Sequence, residues 1–589
     1  MLENHFVLAW RHIARNKVLS IINVFCLSTG FIAFTLIASY VHYEHSFDAF
    51  HSNATSIYRV GLKRYSNGEL IDVSSKNFPG VRGLLKQTPG VEDFTGFYKT
   101  PANTGFLFRY RGKIYNQAGG WLNADSGFFK VFPSLLLHGD PSSALSKPNS
   151  IILSETVANS LFGKEDPVGQ QLDRIDEHGD GSSFIVTGVI KEIPDNAHFH
   201  ASVVEHINDT WPESETELWN DGASLYTYIT LKKDVPPTVI EQSLNRSFAR
   251  RAKNNPNIGD AQLFLQPITE IHLSSNVKDE LEPNANKTLV YLIGLVGLII
   301  LIVAWMNYIN IETSRFVSRL KQFGIRRIIG STKRDLVVQS LVEYYCLVFA
   351  AIVLSGVTIF YLHPFFLSIL DISFLSFDSI TIYIWLVFVF ILLLGSGIVG
   401  IIPAVFLIQF SPTETLKGKL SNTRPKGTIR NWLIGFQFSV SSILIGFVMV
   451  IDHQTTFMIS SNNGLELEHV IAIRNVTAYS DQELTIKFQE LERLQNSLLQ
   501  NTAFKHVASS SAIPGSEIGF SYVNLIKRNL SDPYDPTVYK TIFASDQFLP
   551  TYDIQLVAGT NFSVSESYSG ENPWDQDNFH NIILNERAV

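Results

Sequence analysis

Histidine offers the most obvious chemistry in this chain. His198, His200 and His206 fall within "DNAHFHASVVEH", and His42, His45 and His51 follow the first long apolar run. Imidazoles at a spacing of two share one face of a strand, a geometry that can hold a metal. The sequence has no HExxH pattern, no cysteine partner and no carboxylate at a diagnostic offset, so packing is the better reading of these residues. "GIRRIIGSTK" superficially resembles a phosphate-binding loop, but Lys333 follows Ser331 and Thr332 instead of preceding them, and no buried strand leads in. No GxSxG elbow occurs either. Asn307, Asn310 and Glu343 lie in or beside apolar blocks, where they suit hydrogen bonds between helices; a proton path would need several carboxylates near the bilayer middle. These observations imply no catalytic residue, no cofactor site and no metal site. Energy for any work must come from another chain.

The most informative pattern is "SRFVSRLKQFGIRRIIGSTKRDL". Phe316, Leu320 and Phe323 recur at helical spacing, with Arg315, Arg319, Lys321 and Arg326 on other faces, which predicts an amphipathic helix. Gly324 and Gly330 permit a sharp turn, and Thr332 with Asp335 resembles a capping box that restarts a helix. Basic residues such as Arg327 need do no more than anchor topology. The apolar face, which Ile325 extends, needs a cover, such as a groove in a cytosolic motor. The N-terminal "FVLAWRHIARNK" is also amphipathic, with Phe6, Leu8, Ala9 and Ile13 set against Arg11, Arg15 and Lys17. It fits a helix lying along the membrane surface, as anchor or as lever.

The elements that carry these segments follow from length and composition. At 589 residues the chain is too long for one core. Charged residues are only 17%, against about 25% in typical globular chains, so apolar blocks must alternate with ordinary polar stretches. Five blocks reach the roughly 18 apolar residues that a membrane helix needs: 18–41, 289–308, 337–362, 380–407 and 432–451. The first exceeds a signal-peptide core and lacks a small-residue cleavage site, so it reads as an uncleaved anchor. Cys26 and Cys346 both sit inside apolar blocks, which leaves the polar parts without disulfides. The net charge of −8 comes without long charged runs, so nothing suggests nucleic acid as a partner.

Lys and Arg crowd the loops 309–336 and 408–431 and are absent from 363–379. The positive-inside rule then places residues 1–17 and both basic loops in the cytosol, and 42–288 and 452–589 outside. The first outer segment mixes strand-like runs ("SFIVTGVI", "YTYITL") with helical ones ("PGVRGLLKQT", "TVIEQSLNRSFARRA"), which predicts an α+β domain.

The chain also repeats itself. "ADSGFFKVFPSLLLHGD" precedes "SIILSETVANSLFG", and "ASDQFLPTYDIQLVAGT" precedes "NIILNERAV" in the same order. The expected fold is therefore a polytopic α-helical membrane protein with an α+β extracytoplasmic domain between spans one and two. A partial second copy follows span five, incomplete and cut inside a strand.

With "YEHSFDAFH", "NATSIYRV", "NSIILSETVANSLFGKEDPVGQQL", "VTGVIKEIPDNAHF", "LQPITEIHL", "MNYINIETSRFVSRLKQFGIRRIIGSTKRDL", "PAVFLIQFSPTETLKGK" and "GFQFSVSSILIGF" in this order, the chain resembles the MacB/FtsX-type ABC transporter permease family, in its long double-unit bacterial form. The resemblance implies a MacB-like periplasmic core domain over 42–288, an FtsX-like permease region over 289–408 and a place in the cell inner membrane. It implies a separate cytosolic ABC ATPase as partner. It also makes the loop around Phe316, Leu320, Phe323, Gly324, Ile325, Arg326, Arg327 and Gly330 the ATPase-coupling element. A second permease unit and a periplasmic adaptor or envelope protein are further partners of this class. Two functions follow. One is coupling of ATP hydrolysis to movement of the outer domain, for export or extraction of substrate. The other is an FtsX-like regulator of cell-envelope enzymes without translocation.

Overall fold

The computed structural model describes residues 2–66, 68–100, 105–118, 120–175, 182–207, 217–220, 224–253, 255, 258–314, 322, 325–370, 382–408, 428–460, 465, 467, 469–473, 491, 493–515, 520–523, 538–563 and 581–588. The chain divides into two compact units, Met1–Phe47 with Ala285–Ile459, and Asp48–Asn284 with Ser460–Val589. The first unit is thus interrupted in sequence by the second.

Among its described residues the first unit has five helices long and apolar enough to cross a membrane. Spans one to five lie within Lys17–His45, Lys287–Ser314, Lys333–Leu370, Ile382–Ile408 and Thr428–Ser460. A shorter helix, Leu2–Arg15, precedes span one and is separated from it by Asn16, whose backbone leaves helical geometry. Leu27 and Phe31 of span one, Leu301 and Tyr308 of span two, Tyr344 and Val348 of span three, and Leu392 and Val399 of span four share one buried core, with Leu433 of span five at its margin.

Lipid tails are as apolar as leucine, so helices in a bilayer associate through close fit more than through burial. The fit here is made by glycines that let neighbouring helices approach closely. A Cβ on Gly30 would lie 2.3 Å from the Cβ of Ala304, and one on Gly395 would lie 2.1 Å from the Trp305 ring. Gly30→Leu must therefore force spans one and two apart, an overpacking cost of about 1–3 kcal/mol. The variant should lower the thermal midpoint of the solubilised chain by several degrees. Gly446→Leu, which has nothing within 4 Å, should leave it unchanged. Equal midpoints for the two variants would show that the Gly30 contact does not set bundle stability.

The second unit is built on one large mixed sheet. Among the described residues its strands run β13-β1-β12-β3-β6-β11-β8-β10-β9-β4-β5, with β2 beside β1 and β7 beside β10. These are β1 Ile57–Ser66, β2 Glu69–Ser74, β3 Val91–Lys99, β4 Gly105–Tyr110, β5 Lys113–Ala118, β6 Trp121–Ala124, β7 Leu136–His138, β8 Ser150–Ser154, β9 Gln171–Ile175, β10 Ser183–Ile190, β11 Val203–His206, β12 Tyr226–Leu231 and β13 Asp260–Pro267. The alternating runs "SFIVTGVI" and "YTYITL" are the strands β10 and β12, and the helical runs form Val81–Gln87 and Pro237–Ala252.

Two ends of the sheet carry separate cores. Val81, Leu85, Leu244 and Phe248 pack with Val60, Leu62 and Leu263 at the β13–β1 end. At the other end, Val157, Leu161 and Phe162 of helix Glu155–Phe162 pack on Ile151, Leu153, Leu172 and Val186. A middle core of Phe97, Phe128, Phe132, Phe199 and Tyr228 joins them.

The repeated phrases can be compared directly. Phe128 N–H donates to Asp125 O, Val131 to Gly127 O and Phe132 to Phe128 O. At the later position Phe548 donates to Ser545 O, Thr551 to Gln547 O and Tyr552 to Phe548 O, so the same short helical turn recurs. Ser154 Oγ caps Val157 N–H, and Asn585 Oδ1 caps Ala588 N–H at the same offset. The strand does not recur: Ser150–Ser154 is β8, whereas 581–585 form no strand. β8 bonds to β10 in parallel and to β11 antiparallel, and both of these strands follow it in sequence.

Candidate functional site

Three groups of residues carry the interest of this chain, and the first is the loop between spans two and three. Phe316, Leu320, Phe323 and Gly324 lie outside the described residues. Ile325, Arg326, Arg327 and Gly330 lie within them, in a helical turn that ends at Gly330. Ser331 N–H donates to Arg326 O and Gly330 N–H to Arg327 O, while Gly330 adopts φ +110°. This is the Schellman arrangement, which requires a left-handed residue and favours glycine there. The next helix begins at once. Thr332 Oγ1 accepts from Asp335 N–H at 3.2 Å, and Asp335 Oδ2 accepts from Thr332 N–H at 3.0 Å, a reciprocal capping box. The Arg326 guanidinium bonds Gln339 nearly two turns into span three, fixing the turn to that helix. Ile325, Ile328 and Ile329 are left exposed, Ile329 at 80%.

The second group ties helices together. The His12 Nδ1 of the N-terminal helix lies 2.6 Å from Glu343 Oε1 of span three. Ala9 is fully buried and Ile13 packs on the bundle core, while Phe6 and Trp10 are exposed. The amphipathic helix thus presents Ala9, His12 and Ile13 to the bundle, and its larger apolar side chains face away. Trp305 Nε1–H donates to Ser396 Oγ at 3.2 Å, and Ser355 Oγ–H to Ser28 O at 3.1 Å. Asn310 Nδ2–H reaches Gln437 Oε1 of span five at 3.5 Å.

The third group is the histidine turn of the second unit. His198 Nδ1 lies 2.8 Å from Asp48 Oδ1, and its Nε2 lies 2.7 Å from the Tyr228 hydroxyl. A carboxylate only accepts and a hydroxyl can donate, so a neutral ring protonated at Nδ1 satisfies both. His200 Nδ1 lies 2.8 Å from Glu282 Oε1 and its Nε2 lies 3.1 Å from Pro194 O. Both of those partners are acceptors, so this ring is satisfied as an imidazolium. The Glu282 hydrogen bond accordingly raises its pKa against the opposing effect of burial. His51 is 3% exposed, its two ring nitrogens have no hydrogen-bond partner, and burial pushes its pKa down to about 4. Among the described residues no three His, Cys, Asp or Glu side chains converge on a metal site.

Residues 20–247, running from span one through most of the sheet, match the family described as the MacB-like periplasmic core domain. The chain therefore carries a MacB-like periplasmic core domain. Solved structures that resemble it include a domain of a permease protein from Porphyromonas gingivalis, at 21% identity and TM-score 0.31, covering 37% of this chain and 91% of that one. The periplasmic region of MacB from Actinobacillus actinomycetemcomitans shares 15% identity at TM-score 0.26, covering 37% and 91%. The extracellular domain of the noncanonic ABC-type transporter YknZ from Gram-positive bacteria shares 17% at TM-score 0.24, covering 35% and 99%. A search of curated proteins found no match.

Within this MacB-like domain the sequence pointed to the histidines and missed what holds them. Asp48, Tyr228 and Glu282 are far from "PDNAHFH" in sequence, and no local spacing links them to it. The available signal was the carboxylates themselves, Asp48 shortly after span one and Glu282 shortly before span two. The Glu343 partner His12 was hidden likewise, 331 positions away.

Proposed function

We propose that this chain is the membrane subunit of an ABC transporter of the MacB type. A separate cytosolic ATPase would drive it, and the core domain would move outside the membrane to export or extract substrate. The carrying observation is the insertion of a MacB-like core domain into the chain between spans one and two of a packed helix bundle. A domain joined covalently to two packed helices has to follow any shift between them. The N-terminus and both basic loops would lie in the cytosol, on the Lys/Arg asymmetry, in the inner membrane. The two local matches, at Phe548–Thr551 and at Asn585, support reading 452–589 as related to the first core domain.

The loop 309–336 would receive the ATPase. Its described part supports this, since three exposed isoleucines stand on a turn held at its C-terminal end by the Schellman motif and the capping box. Burying an unpaired carboxylate costs several kcal/mol, so Ile329→Asp should weaken ATPase stimulation by about tenfold or more while the chain still inserts. The measurement is ATPase activity of the reconstituted pair, with membrane extraction as the control. Unchanged stimulation by well-inserted Ile329→Asp would move the docking surface elsewhere. Stimulated ATPase activity without substrate leaving the membrane or cell would favour the regulator of envelope enzymes over the transporter.

A further inference from the structure

We propose that the turn Pro194–His200 is a clasp that fastens the segment arriving from span one to the segment departing for span two, so that the core domain takes up displacement of either span at one common point. The arriving segment is held at Asp48, three residues beyond the end of the span-one helix at His45. Asp48 N–H donates to Asn196 O at 2.9 Å, and its Oδ1 accepts from both the backbone N–H and the ring of His198. Two residues further along the same turn, His200 holds Glu282, five residues before the span-two helix begins at Lys287. One short turn therefore grips both connections.

A second route joins the same two points through the sheet. The Tyr228 hydroxyl meets His198 Nε2, and Tyr228 lies directly opposite Arg59 in the β1–β12 register. The Arg59 guanidinium is fully buried and bonds Glu280, reaching Oε1 at 2.9 Å, as well as Ser275 Oγ at 3.0 Å. The polar chain thus runs Asp48–His198–Tyr228–Arg59–Glu280 without leaving the interior. Polar groups this deeply buried are costly to leave unpaired, so breaking one link strands its neighbours. Asp48 and Asp279 also both sit in the left-handed region, at φ 59°, a backbone state that persists only where surrounding contacts hold it.

This inference rests on the permease reading only for what drives the motion; the clasp itself can be tested without ATPase or substrate. Hydrogen–deuterium exchange on the full chain in lipid nanodiscs would follow peptides covering 46–54 and 275–284, with helix Glu155–Phe162 as the distant reference. In the unmodified chain the two segments should open as one unit, with the same denaturant dependence. Glu282→Gln should then speed exchange about tenfold or more in both segments, and Asp48→Asn should do the same, while the reference stays protected. Separate openings in the unmodified chain would overturn the clasp, as would variants that each loosen only their own segment. Should a variant unfold the whole domain, the unmodified chain still decides. Failure of the Ile329→Asp experiment would bear on ATPase docking and leave this result standing.

Discussion

Arg59→Ala should lower the thermal midpoint of the core domain by roughly 10 °C, a loss of about 3–5 kcal/mol. Arg59 is one of the largest fully buried side chains in the protein, and its charge is answered by Glu280, with Gln266 Oε1 at 2.6 Å and Ser275 Oγ at 3.0 Å. Removing the guanidinium leaves the Glu280 carboxylate without its partner in a place that water reaches poorly. Replacing both members with apolar residues avoids that penalty, so Arg59→Met with Glu280→Met should recover most of the lost stability. Thermal proteolysis of Asp48–Asn284 in the membrane-embedded chain reads the midpoint, with Ile114→Ala on the exposed edge strand as reference. A shift for Arg59→Ala no larger than for Ile114→Ala would mean that the buried pair contributes little.

Acid should weaken the same domain through His51. Its ring lies among Phe50 and Phe132, close to Asp48 and His198. Burial lowers its pKa most, the Asp48 carboxylate opposes this, and His198 adds to it. The folded value of about 4 lies below the ordinary 6.5, so the unfolded chain takes up the proton first. Stability is therefore intact above about pH 6.5 and is lost as pH falls towards 4, by about 3 kcal/mol in total. His200 runs the other way. Its pKa is raised, so its contribution is full below 6.5 and fades as pH rises through the folded value. Because His200 is partly exposed and His51 is buried, His51 should dominate on the acid side. His51→Phe should flatten the fall in proteolytic resistance between pH 6.5 and 4. An unchanged acid profile would show that another group carries it.

Much of the fold was legible because it depends on local pattern. Five apolar runs are visible from length alone, and the Thr332–Asp335 cap from a spacing of three. The alternation in "SFIVTGVI" marked β10 for the same reason. The phrase around Ile151 shows the limit: its repetition was visible in the letters, whereas the partners of β8, the later strands β10 and β11, are marked by no local spacing. The histidine turn was visible as residues and unreadable as a contact, because its partners come from β12 and from the two ends of the domain. Of the predicted apolar face of the N-terminal helix, Ala9 and Ile13 meet the bundle while Phe6 and Leu8 stay exposed. Burial there depends on which neighbour arrives, and the periodicity of one helix does not record that.

The place of β1 in the sheet has a consequence for synthesis. β1 is among the first parts of the core domain to leave the ribosome, and only its Leu62–Ser66 end finds an early partner, in β2; its other neighbours are β12 and β13, the last two strands of the domain to be made. Tyr58 pairs with Pro267, so the first half of this strand waits for about 200 residues before its ladder with β13 can form, and such long-range pairing makes folding slow. Until then Val60 and Leu62 have no core to enter, and the nascent segment is open to aggregation and to proteases. Because β13 is followed within a short stretch by the span-two helix, the sheet can close only when that helix is itself about to be made. Maturation of the domain and insertion of its second anchor thereby become nearly simultaneous, and a delay in either holds the other in a vulnerable state.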